Sequence, residues 1–282
     1  MWPIYFPNVD VTQLKVYDPP FIQQAFYSIS NSFDIEFNYP QGGCQQRAQV
    51  MSMILDKKFN IEHCKLWLFA PAAMDMNETI TLYIEDKNGL SPSGKIEWNY
   101  HVVPVVQVRD TNAIDTLVID PSMNRNAPMT MEDWLNFIGN SRTGKYSFLL
   151  PDKYFFNCFY SGNEMTSIFD GSFVDFINQA KDDLAVERSL ALNDMAIKIY
   201  RTYIQPLKNA FDPAGIKKLE DLKAVFGNST ILDLLFAQNI SGKTENTTHR
   251  YVITSYSDIM QEAKHFFNER LLYWTKFTNT LL

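Results

Sequence analysis

The sequence predicts an α+β fold followed by an all-α region. Three observations carry this. A stretch of helical period over residues 45–58 follows a Gly-Gly-Cys turn. Four strand-like runs come in succession between residues 64 and 121. Beyond about residue 165, glycine thins out and helical periods run to the end. The strands are too few, and their alternation with helices too irregular, for a doubly wound sheet. A Cys-bearing helix packed on a mostly antiparallel sheet is expected instead. We divide the chain into residues 1–163 and a helical C-terminal domain, 164–282.

The elements follow in order. Residues 1–40 are rich in proline and aromatics and weak in period. They read as an irregular wrapping segment, with a short helix near "PPFIQQAFYSIS". In the next segment Ala48, Met51, Leu55 and Phe59 recur at i, i+3, i+4 spacing, and Val50 and Ile54 widen the face, so a helix is expected. "CKLWLFA", "TITLYIED", "IEWNYHVVPVVQV" and "DTLVIDP" read as strands. "KNGLSPSGK", between the second and third, is turn chemistry suited to a hairpin or a mobile loop. Pro104 lacks an N–H, so the third strand should be interrupted, bulged or at an edge there. "TMEDWLNFIGN" reads as a short helix, with Thr130 as N-cap and Asp133 adding negative charge to the first turn. In the last segment Ile259, Ala263, Phe266, Phe267, Leu271 and Trp274 form one stripe. "DPAG" at 212–215 and "NISGKTENTTHR" at 239–250 read as loops between helices.

Composition narrows the function class. At 282 residues and 46% apolar the chain can bury a sizeable core. A net charge of −7 argues against a nucleic-acid binder. Three cysteines, Cys44, Cys64 and Cys158, cannot make a disulfide framework, which points to a reducing compartment. "MWPIYFPNVDVTQLK" has no basic stretch followed by an apolar run, so no signal peptide is read there, and no apolar run reaches the length of a membrane span. The expected location is the cytoplasm, or the cytoplasm of a cell into which the protein is delivered.

The chemistry begins at "QGGCQQRAQVMSMIL". A cysteine at a helix N-terminus feels the positive end of the helix dipole and nearby unpaired N–H groups, both of which favour thiolate. Gly42 and Gly43 permit a tight turn and close approach of backbone to a ligand. The Cys44 N–H is placed to donate to an oxyanion, and the Gln41 amide to supply a second donor. A buried structural cysteine at the end of a loop reads equally well from this stretch alone.

A nucleophilic cysteine needs a base. His249, in a polar loop, and His265, on a helix, read as structural. His63 beside Cys64 is a pair of ligand types without further partners, a poor zinc site. His101 sits inside an apolar strand, where an imidazole needs a partner; a core histidine bonded to backbone is the plain alternative. Asp120 ends the next strand and precedes a proline, so on antiparallel neighbours its carboxylate can reach the imidazole; the plain alternative is a turn aspartate. Cysteine at a helix start, histidine in a strand and aspartate at the end of the next form the papain-like and transglutaminase-like arrangement.

These residues sit in three strings: "GCQQRA" at 43–48, "WNYHVV" at 98–103 and "VIDPSM" at 118–123. Together, and in this order, they resemble the active-site segments of the bacterial protein-glutamine glutaminases, or protein glutamine deamidases. "APMTMEDW" at 127–134 continues the resemblance, matching a Pro-x-Thr stretch that ends in tryptophan. The resemblance implies Cys44 as nucleophile, His101 as acid–base and Asp120 as its orienting partner. Gln41 and Gly43 fall at the oxyanion and substrate site, with Trp98 shaping it. It implies no metal or organic cofactor, and a protein substrate with an accessible glutamine, and it makes residues 1–163 the catalytic domain. The helical region 164–282 has no counterpart in the resemblance and is expected to recognise substrate or partner. The same triad also serves acyl transfer to amines and peptide-bond cleavage. A non-enzymatic role, with the amphipathic helices docking a partner, is the competing class.

Overall fold

The computed structural model describes residues 8–75, 77–110, 113–160, 169–175, 184–237 and 247–282. Strand β1 (Val16–Tyr17) leads into helix α1 (Pro19–Asn31), whose prolines occupy the first turn, where a missing N–H is not needed. Ile22, Ala25, Phe26 and Ile29 form its buried face. This is the short helix expected from "PPFIQQAFYSIS". Helix α2 (Cys44–Phe59) is buried from Arg47 through Leu55 and stops at Asn60, which turns left-handed with φ 51°.

The next part of the chain builds one main sheet and a hairpin. It contains β2 (Cys64–Phe69), β3 (Leu82–Glu85), β4 (Lys95–Trp98), β5 (Tyr100–Asp110), β6 (Ala113–Val118), β7 (Met129–Thr130), α3 (Met131–Phe137) and β8 (Lys145–Leu149). The main sheet runs β7-β6-β5-β2-β8 with antiparallel pairings throughout, and β1 lies parallel beside the far end of β5. β3 and β4 pair as a separate hairpin, closed by the Asn-Gly and Pro-Ser-Gly loop. The Thr130 side chain caps α3 by accepting from the Asp133 N–H, as its sequence predicts.

Alternation along β2 sorts the two faces of the sheet. Trp67 and Phe69 pack with Ala48 of α2 and with Val102. Leu66 and Leu68 pack on the other face with Val103, Val105, Trp98 and Trp134.

The run "IEWNYHVVPVVQV" is not one strand. It breaks at Asn99, whose carbonyl accepts from Ala70 N at 2.8 Å, so β4 leaves for the hairpin while β5 starts the main sheet. Pro104, in contrast, lies within an unbroken β5, opposite Lys65 of β2. On the other side of β5 the Pro104 carbonyl accepts from Ile119 N at 2.9 Å, one residue beyond the end of β6. The missing proline donor therefore falls where the β5–β6 ladder ends, and the chain is released toward Asp120.

The second half differs from the sequence reading in three places, one of them at residues 247–250, expected in a loop but forming the start of the helix Thr247–Ser255. Strands β9 (Lys153–Tyr160) and β10 (Phe169–Asp175) form an antiparallel hairpin in which β10 occupies residues expected to be helical. Aromatic residues favour an extended chain once a partner strand is present, and the helical texture of the later sequence masked this. "DPAG" is a helix start rather than a loop. Asp212 accepts from Gly215 N at 2.8 Å and Pro213 opens α5 (Pro213–Phe226). The expected 163/164 boundary and residues 239–246 of the expected 239–250 loop lie outside the described residues.

The remaining helices are α4 (Ala185–Ile199), which continues through a π-type turn at Tyr200–Ile204, then α6 (Ser229–Leu232), α7 (Thr247–Ser255) and α8 (Ser257–Asn279). The α8 stripe buries Ile259, Ala263, Phe267 and Trp274. Asp194 of α4 accepts from Trp274 Nε1 at 2.7 Å and from Arg270 Nε at 2.6 Å, holding α8 in register. One apolar core includes Phe26 of α1, Ile54 of α2, Ile197 of α4, Phe226 of α5 and Trp274 of α8. Among the described residues, no helix is long and apolar enough to cross a membrane.

Candidate active site

Gly43 is the N-cap of α2 and sits in the left-handed region at φ 79°, ψ 16°. Its carbonyl accepts the first helical bond from Arg47 N at 2.9 Å. The left-handed backbone favours glycine here, and a Cβ would lie 2.6 Å from Asn193 Nδ2 and 3.0 Å from Ser189 Oγ, displacing those side-chain ends. No side chain caps the first turn of α2, which leaves its N–H groups to whatever occupies the cleft.

Cys44 is the first residue of this helix and half-buried. Its sulfur lies 4.0 Å from the Tyr100 carbonyl oxygen at the start of β5. Burial by itself would raise the Cys44 pKa. The hydrogen bond and charge of His101, the charge of Arg47 and the Val102 N–H outweigh it, and the net shift is downward. Arg47 is buried and clamps the incoming loop, with Nη1 donating to the carbonyls of Tyr39 at 3.2 Å and Gly42 at 2.8 Å.

His101 is the second residue of β5 and 2% exposed. Its Nε2 is 2.9 Å from Asp120 Oδ2. Its Nδ1 is buried without a hydrogen-bond partner, and the Cys44 thiol is near enough to bear on the ring's protonation. With Nε2 committed to the carboxylate, Nδ1 is the nitrogen free to exchange a proton with sulfur. The ring is held between two indoles, Trp98 at 4.9 Å and 15° and Trp134 at 5.7 Å and 20°. Burial would lower the His101 pKa. Hydrogen bonds donated by the ring to Asp120 and Cys44, with their negative charge, bring it up to about 9. Stacking on two π faces also favours the imidazolium.

Asp120 follows β6 at the point where Pro104 ends the ladder. It is 3% exposed and well supplied with donors. Oδ2 receives His101 and Trp134 Nε1, each at 2.9 Å, while Oδ1 receives Ser122 N at 3.1 Å and Ser122 Oγ at 2.5 Å. Burial would raise this carboxyl, but His101, Ser122 and Trp134 together hold it down at about 2. Asp120 and His101 are thus hydrogen-bonded, and Cys44 stands near enough for the imidazole to favour its thiolate.

The other expected site residues surround this line. Gln41 precedes the turn; its carbonyl accepts from Ser229 Oγ at 3.1 Å, and its side-chain amide is buried with neither nitrogen nor oxygen partnered. Trp98 lies flat on the imidazole, and its indole N–H is occupied by the Pro40 carbonyl at 2.9 Å. Its contribution here is a ring face. A cleft of about 570 Å³ opens at this point, with Gly43, Gln45 and Tyr100 on one wall and Ser189, Asn193 and Ser229 on the other. Tyr100 OH donates to Gln45 Oε1 across the first wall.

Residues 22–138 match a family model described as glutaminase. The matched segment begins in α1, ends just after α3, and contains Cys44, His101 and Asp120. The chain is also similar to solved structures. One is the protein-glutaminase from Chryseobacterium proteolyticum, determined by NMR, at 20% identity over 65% of this chain and 89% of that one, with a TM-score of 0.43. A crystal structure of protein-glutaminase gives 20% identity over 61% and 87%, TM-score 0.43. A mutant of pro-protein-glutaminase gives 20% over 63% and 60%, TM-score 0.44. The curated proteins give no match.

Sequence reasoning missed four residues around Cys44 and His101. Trp134 was visible only as the end of "APMTMEDW", with nothing local to say that its N–H meets Asp120. Ser122 was visible as part of an Asp-Pro-Ser turn, whose side-chain bonding is a general habit of such turns. Ser189 and Asn193 carried no signal, because only folding brings α4 over Gly43.

Proposed function

We propose that the protein hydrolyses the side-chain amide of protein-bound glutamine to glutamate and ammonia through a Cys44 thioester. The observation that carries this reading is the order of contacts along the imidazole. Asp120 takes Nε2, two indoles hold the ring, and Nδ1 is left for Cys44.

In the proposed reaction the Cys44 thiolate attacks the carboxamide carbon. The oxyanion is held by the Cys44 N–H and the unpartnered Gln41 amide. The His101 imidazolium gives its proton to the departing ammonia, and a thioester remains. Neutral His101 then takes a proton from water as the water attacks, and glutamate and thiol are released. Asp120 fixes the ring tautomer and stabilises the imidazolium. No step calls for a metal or cofactor. A free nucleophilic thiol suits a reducing compartment, either the cytoplasm or that of a cell into which the protein is delivered. We assign the helical region 164–282 to substrate recognition.

The test is intact-mass analysis and peptide mapping of a glutamine-containing protein incubated with the wild type and with Cys44→Ala. The expected result is ammonia release with Gln-to-Glu conversion, lost in the variant. Cross-links would instead assign acyl transfer to amines, backbone fragments would assign proteolysis, and an unaltered protein would reject all three.

A further inference from the structure

The far wall of the cleft comes from the helical tail, beyond the matched segment. Asn193 of α4 is 3% exposed, and its Nδ2 is buried with no hydrogen-bond partner. That nitrogen lies over Gly43, the residue before Cys44, close enough that a Cβ there would meet it at 2.6 Å, and Gly43 and Asn193 both line the cleft. A buried amide donor without an acceptor is unfavourable to the fold, so a ligand acceptor is the natural partner for it. The wall is also tied to the Cys44 turn. Ser229 Oγ donates to the Gln41 carbonyl at 3.1 Å, and Tyr39 OH donates to the Phe226 carbonyl at 3.0 Å. The part of the wall built by Phe226 and Ser229 is therefore fastened to the turn that carries Cys44.

We propose that Asn193 is a substrate-binding residue whose Nδ2–H donates to the oxygen of the carboxamide attacked by Cys44, so that the helical tail completes the site. The inference rests on the deamidase reading for its substrate. It also makes a claim independent of turnover, that this cleft binds a neutral carboxamide oxygen. Asn193 binds and orients; no proton or electron pair passes through it.

The experiment uses the full chain as wild type, Asn193→Leu and Asn193→Asp, with two thiol reagents. Iodoacetamide carries a carboxamide oxygen, and methyl methanethiosulfonate does not. The expected result is that both variants lose about tenfold in the rate of Cys44 alkylation by iodoacetamide. Their reaction with methyl methanethiosulfonate should stay within about twofold of wild type. On an N-acetylated glutamine peptide kcat should fall ~10²–10³-fold, with Asn193→Leu melting no lower than wild type. A Leu or Asp variant whose two reagents slow together, or do not slow at all, overturns the proposal, as does a wild-type kcat in either variant. If the wild type releases no ammonia while the selective loss of iodoacetamide reactivity is seen, the deamidase reading fails and the carboxamide site stands. If the wild type deamidates and the variants match it, the site fails alone.

Discussion

Trp134 and His101 share one oxygen of Asp120. The indole N–H and the imidazole Nε2 both sit 2.9 Å from Oδ2, and the two rings stack at 5.7 Å. One tryptophan thus holds the carboxylate by its edge and the imidazole by its face, which restricts both to a single geometry. Trp134→Phe keeps most of the ring and removes the donor. Since a hydrogen bond to a charged group contributes ~1.5–3 kcal/mol, a stability loss of that size is expected, read as a lower urea midpoint. Deamidation should fall as well, because Asp120 becomes a weaker partner for the imidazolium.

Asp120→Asn should be far more damaging to activity than to structure. An amide can present its N–H to Nε2, which favours the tautomer with its proton on Nδ1 and removes the base that faces Cys44. A loss in kcat on the order of 10⁴ is expected by analogy with triads in general. Far-UV circular dichroism should stay unchanged, while the rate of Cys44 alkylation at neutral pH should drop. A variant that deamidates at near wild-type rate would show that Asp120 has no part in the reaction.

The pH dependence follows from opposite shifts in the pair. Cys44 is lowered from its ordinary value of 9.0 and His101 is raised from 6.5 to about 9. Both shifts favour the thiolate–imidazolium pair over the neutral pair. Activity should climb with the lowered thiol ionisation and decline as pH passes about 9.

Stability has its own limits at the two ends of the pH range. The His101 pKa is raised on folding, so its contribution is complete below 6.5 and is lost as pH rises through about 9. The Asp120 pKa is depressed, so its contribution is present above 3.8 and is lost as pH falls toward about 2. Urea midpoints measured from pH 2 to 10 should show both losses, and both should be much smaller in a doubly substituted His101→Phe, Asp120→Leu chain.

Gly43→Ala tests the turn. An L-residue in the left-handed region costs ~1–2 kcal/mol, and the new methyl would stand 2.6 Å from Asn193 Nδ2. A lower melting temperature and a strongly reduced rate are expected together. A stable, active Gly43→Ala chain would show that neither the φ of 79° nor the closeness of α4 matters.

Parts of this architecture were readable before folding. Helix α2 was legible because Ala48, Met51 and Leu55 repeat at helical spacing, and the α3 start because Thr130 and Asp133 make a cap. The site was legible as three short strings in order. The split at Asn99 was not, because "IEWNYHVVPVVQV" has uniform strand propensity and only the Ala70 N–H, arriving from elsewhere, takes the Asn99 carbonyl. β10 was not, because its extended form depends on pairing with β9.

The sequence by itself determined which titratable and nucleophilic groups the chain carries and roughly where it bends. Residue chemistry, local period and turn preference act over a few neighbours and need no partner. Only the tertiary structure decided that Asp120 takes Nε2, that Trp134 reaches the same oxygen, and that Ser229 and Asn193 close over Gln41 and Gly43. Ser229 and Gln41 stand 188 residues apart. Contacts at that separation depend on how the folded core brings α4 and α6 against the start of α2, and no local pattern encodes them.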